Sequence, residues 1–102
     1  MKKGLPIILI FLSACVATKS FVPNQDALPA MQQKVADITL KKADSGYALY
    51  KNKCAGCHRL HHPSEYTMSK WEKSLSEMYP KAKVTSDEEK RLIRDYVIAL
   101  SK

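Results

Sequence analysis

Gly46-Tyr47-Ala48-Leu49-Tyr50-Lys51-Asn52-Lys53-Cys54-Ala55-Gly56-Cys57-His58 is the stretch on which the reading of this chain turns. Its first part is helical in pattern. Tyr47, Tyr50 and Cys54 fall at i, i+3 and i+7, on one face, and a helix is predicted from about Asp44 to Lys53. Gly46 has no side chain, so a second helix can approach closely there.

The last five residues, Cys54 to His58, form a C-x-x-C-H sequence, the attachment signature of c-type haem. The two thiols add to the two vinyl groups of the porphyrin and form thioethers. Two intervening residues match the distance between those vinyls along one helical turn. His58 follows at once, so its imidazole can turn beneath the ring and bind iron. Two other chemistries use a bare C-x-x-C. A disulfide redox pair wants a βαβ setting, and strand signals are missing here. A zinc site would need His61 or His62, with very short ligand loops and no second cysteine pair.

Downstream, two more helices are predicted. Ser69 and Glu72 have the spacing of a capping box, after which Trp71, Leu75, Met78 and Tyr79 share a face and Pro80 ends the helix. Ser86 and Glu89 repeat the box, and Leu92, Ile93, Tyr96, Val97 and Leu100 follow as an apolar face. The expected fold is therefore all-α, with three main helices over residues 43–102. So short a domain buries too little surface to be secure without a staple. A covalently held haem at its centre would supply one.

Upstream, Lys2 and Lys3 precede an uncharged run with an apolar heart from Leu5 to Leu12. That run is too short for a permanent membrane span and reads as a secretory signal. Leu12-Ser13-Ala14-Cys15 resembles the lipobox of bacterial lipoproteins. The resemblance implies cleavage after residue 14 and lipidation of Cys15, with several acyl chains and hence firm anchoring. Val16 follows, with no Asp to mark retention at the inner membrane, which favours the outer one. Residues 15–42 are expected as a lipid-anchored tether: Pro23, Asn24 and Pro29 break regular patterns, while Met31, Val35 and Ile38 allow a short helix.

The chain carries a net charge of +7. Cleavage at the lipobox removes Lys2 and Lys3 and leaves +5, much of it on Lys19, Lys34, Lys41 and Lys42. This excess, on an exported chain, argues against a nucleic-acid partner and suits steering of an acidic redox partner.

Gly46, Tyr50 and Cys54–His58 resemble the N-terminal helix of class I cytochromes c, and Tyr96 resembles the aromatic residue that packs on that glycine. Residues 43–102 more closely resemble short monohaem cytochromes of bacterial envelopes, through Gly46, Tyr50, Cys54, Cys57, His58, Pro63, Trp71, Met78, Glu89 and Tyr96. The resemblance implies a small cytochrome c-like bundle around one haem c, bound through Cys54 and Cys57, with His58 as proximal iron ligand. For the distal side the mature chain offers Met31, Met68 and Met78. Met78 shares the inward face of Trp71 and Leu75, where a methionine is either a gap-filler in the core or a ligand; the resemblance implies a ligand. His61 and His62 follow His58 so closely that reaching round the porphyrin looks strained, and they read as exposed loop histidines. Trp71 reads as core, and Lys81 and Lys83 as a solvated turn.

A His/Met iron suits electron transfer, and no acid, base or nucleophile constellation is present in the pattern. The expected function is one-electron transfer between redox partners on the periplasmic side of the envelope, without enzymatic activity. Two alternatives are a haem-based sensor, which carbon monoxide binding would reveal, and a haem subunit of a larger oxidoreductase.

Overall fold

The computed structural model describes residues 20–55 and 59–102. Four α-helices carry the fold: α1 (Leu28–Lys34), α2 (Leu40–Cys54), α3 (Met68–Lys81) and α4 (Asp87–Ala99). Single 3-10 turns precede α1 (Gln25–Ala27) and α3 (Pro63–Glu65). Among the described residues there is no strand, so the chain is an all-α bundle.

α2, α3 and α4 each start where a side chain satisfies a first free N–H group, whereas α1 follows directly on a 3-10 turn and has no side-chain cap. Thr39 accepts from the Lys42 amide at 3.1 Å. This cap starts α2 at Leu40, four residues ahead of the start predicted from the apolar face. Ser86 caps α4 as predicted, accepting from the Glu89 amide at 3.3 Å. The cap of α3 is Thr67, which accepts from the Lys70 amide at 3.3 Å, and Ser69 is the second residue of the helix. Both residue types cap well. Thr67 takes the role because its backbone is extended (φ −77°, ψ 167°), as a cap requires.

Pro80 does not end α3; it occupies the last turn. The helix ends at Lys81, one residue on, in a Schellman arrangement. The Val84 amide donates to the Tyr79 carbonyl at 2.9 Å and the Lys83 amide to the Pro80 carbonyl at 3.2 Å. Lys83 takes the left-handed conformation (φ 60°) that glycine usually fills. Burial of Val84 accompanies the motif and offsets that strain.

The core is built on α4. Ile93, Tyr96, Val97 and Ile98 are buried on it, and α1, α2 and α3 all pack against it, α2 most extensively. The α2–α4 crossing is close because of Gly46. A Cβ there would stand 2.3 Å from the Leu92 carbonyl oxygen and 2.6 Å from Tyr96 Cβ. By contrast α2 and α3 have little direct backbone contact. The seam between them is filled by aromatic side chains. Tyr50 and Trp71 meet edge to face at 6.0 Å, and Tyr66 and Trp71 at 5.4 Å.

The stretch before α2 also packs. Met31, Val35 and Ile38, the residues at helical spacing, are all buried in the common core. Of the three only Met31 is in a helix: α1 begins at Leu28, its first turn tolerating Pro29, and ends at Lys34, with Val35 as an extended cap and Ile38 beyond it. Lys34 Nζ donates to the Ser101 carbonyl, and the Lys102 amide donates to the Tyr66 carbonyl at 3.0 Å. These bonds close the C-terminus onto the bundle.

Candidate functional site

Cys54 is the last residue of α2 and is buried. Tyr50 lies one turn earlier on the same face. Its phenol is raised above the ordinary range, chiefly by burial and next by the neighbouring Cys54. The Tyr79 phenol, on α3, is pushed up to about 12, mainly by burial, with smaller contributions that include Cys54. Cys57, His58 and Cys15 lie outside the described residues.

Across the seam, Met78 is half-buried and lines a cleft of about 210 Å³ with Tyr50, His61, Tyr66 and Trp71. The other two methionines among the described residues are differently placed. Met31 is sealed in the core of α1, and Met68 is exposed at the first turn of α3. Trp71 is buried core, and its indole N–H donates to the Pro63 carbonyl at 2.7 Å. Lys81 and Lys83 are exposed at the end of α3.

His61 and His62 are not merely exposed loop residues. His61 reaches the Met78 cleft because several groups fix it. Tyr50 Oη donates to its carbonyl at 2.5 Å, and its ring lies 5.3 Å from that of Tyr66. Glu65 Oε1 is 3.4 Å from its Nδ1. The Glu65 carboxyl is held below the usual range, first by the hydrogen bond from Arg59 (3.1 Å) and then by the His62 amide (2.7 Å). His62 caps the 3-10 turn, its Nδ1 accepting from the Ser64 amide at 3.0 Å. Its Nε2–H donates to the Ser20 carbonyl at 3.1 Å, which fixes the tautomer, since a carbonyl only accepts.

The donor set can be tested against a c-type haem. Cys54 is buried at the C-terminal end of α2, and the Met78 thioether on α3 lines a cleft with Tyr50, His61, Tyr66 and Trp71, edged by Lys70 and Ser74. That chemistry fits. The cleft is below the roughly 300–1,000 Å³ of typical small-molecule sites, so accommodation of a porphyrin requires the seam to widen. Such widening breaks little backbone contact, because α2 and α3 rest on α4 rather than on each other.

Two features escaped the sequence reading: the Arg59–His61–Glu65 cluster, and the hold of Tyr96 on Phe21, whose carbonyl accepts from Tyr96 Oη at 2.6 Å. The His62–Glu65 spacing carried a trace of the first. Nothing in the sequence marks a bond from a side chain to a carbonyl 75 positions away. No protein-family model, curated protein or solved structure matches the chain.

Proposed function

We propose that this protein is a monohaem c-type cytochrome, lipid-anchored through Cys15, that carries single electrons between redox partners on the periplasmic side of the bacterial envelope. The observation that carries the reading is the sequence Cys54-Ala55-Gly56-Cys57-His58 at the end of α2. It is supported by the position of Met78, which among the three mature methionines is the one lining the cleft beside the α2–α3 seam. The bound group supplies a one-electron ferrous–ferric couple. The chain's own residues do the rest. Cys54 and Cys57 hold the group covalently, and His58 donates an imidazole nitrogen. Met78 donates a thioether, a pairing that raises the potential. Tyr50 and Trp71 wall the seam against water, and burial of this kind also tunes potential.

The full chain, made with a cytochrome c maturation system, should gain the mass of one haem and show a thioether-linked haemochrome in pyridine. Met78→Ala should then lose the sulfur-to-iron charge-transfer band of the oxidised protein while keeping its haem. An unchanged band would remove Met78 from the iron. A folded, colourless chain that gains no mass would remove the whole reading.

A further inference from the structure

Only four residues, Val16 to Lys19, separate Cys15 from Ser20. From Ser20 onward the chain is fastened to the domain. The Ser20 carbonyl accepts from His62 at 3.1 Å and the Phe21 carbonyl from Tyr96 at 2.6 Å. The Phe21 ring lies 5.0 Å from that of His62 and 6.1 Å from that of Tyr47. A chain from residue 15 to residue 20 spans at most about 18 Å when fully extended. A flexible coil over residues 15–42 would by contrast have a root-mean-square span of roughly 30 Å. An anchor at Cys15 therefore keeps the exit face of the domain within two helix diameters of the lipid.

That face has a distinct composition. It is a shallow depression of about 340 Å³ whose apolar wall is Val22, Pro23, Ala27 and Leu100. Among the described residues no carboxylate, ammonium or guanidinium lines it, and its polar edge is Ser20, Asn24, His62 and Ser64. Val22 is 49% exposed and is one of two large hydrophobic residues so exposed among the described residues. A short strap raises the effective concentration of this face at the bilayer, so that a weak interfacial preference suffices for occupancy.

We propose that this uncharged exit face, formed around Val22, Pro23, Ala27 and Leu100, rests on the phospholipid surface, so that the domain is docked on the membrane rather than swinging from it. The proposal depends on the lipid anchor of the preceding reading. The test is hydrogen exchange on the full lipidated protein in vesicles of phosphatidylethanolamine and phosphatidylglycerol, with soluble Cys15→Ala protein made without the leader (residues 15–102) as reference. Amides of residues 24–28 and 100–102 should exchange slower on vesicles by on the order of tenfold, while residues 81–86, which are not on this face, keep their rates. Val22→Glu, at an exposed position, should still sediment with vesicles but lose the protection. Equal rates on vesicles and in solution, with the protein sedimenting, would overturn docking and leave the anchor standing. So would full protection in Val22→Glu. Protection of the same amides in soluble Cys15→Ala protein as its concentration rises would assign the face to a second copy and overturn the membrane as its partner. Failure of the unmutated protein to sediment would remove the anchor and the docking together.

Discussion

Gly46 is the residue on which the α2–α4 crossing depends. The atoms that a Cβ would meet are the Leu92 carbonyl and Tyr96 Cβ, both fixed to the backbone of α4. No rotamer change relieves such a clash, so the helices must part, and overpacking of this kind costs about 1–3 kcal/mol. Gly46→Ala should lower the urea midpoint by that amount with an unchanged slope. A midpoint equal to that of the unmutated protein would mean that the crossing yields without cost. The sequence reading of Gly46 as a point of close approach, with Tyr96 against it, matches this contact. The residues of the loop after α2 were less legible. His61 carries no sequence mark of its cleft position, which is fixed by Tyr50 and Tyr66, 11 and five positions away.

At the scale of elements, the helices follow local rules and their ends follow whichever cap the backbone presents. Thr67 and Ser69 are both competent caps, and only Thr67 holds the first turn of α3. Thr67→Ala should therefore cost about 1 kcal/mol, whereas Ser69→Ala should change stability by less than about 0.5 kcal/mol. Thermal unfolding of the two variants distinguishes them, and the reverse order would restore the Ser69 start. The C-terminus of α3 shows the same logic. A proline suggested the stop, but proline in a last turn forfeits one bond at a helix end, and the chain turns where Lys83 adopts φ 60° and Val84 is buried.

Over the whole molecule, three phenols report the packing. Tyr50, Tyr79 and Tyr96 are raised above the ordinary value of 10, in each case chiefly by burial, and Tyr79 reaches about 12. A raised phenol favours the neutral form in the folded state. Its stabilising contribution is therefore complete below pH 10 and is lost as pH climbs from there through the folded value. Stability should hold level up to about pH 10 and then fall. The tyrosinate absorption of these residues should appear together with unfolding, measured by ultraviolet absorption and circular dichroism on the same sample. Ionisation of all five tyrosines at the ordinary value with the helices intact would contradict the packing.

The amino-acid order alone determined the all-α class, the apolar faces of α3 and α4, the Ser86 cap and the C-x-x-C-H run at the end of α2. Each of these is written in spacings of a few residues, which helical geometry converts directly into a face or a turn. What only the tertiary structure decided depends on atoms distant in sequence. It brought His61 to the cleft lined by Met78, the methionine that the sequence had already set on the inward face of α3, and bound Phe21 to Tyr96. Burial is shared among helices meeting on α4, and a carbonyl finds its donor wherever the fold brings one, so neither has a local period to read.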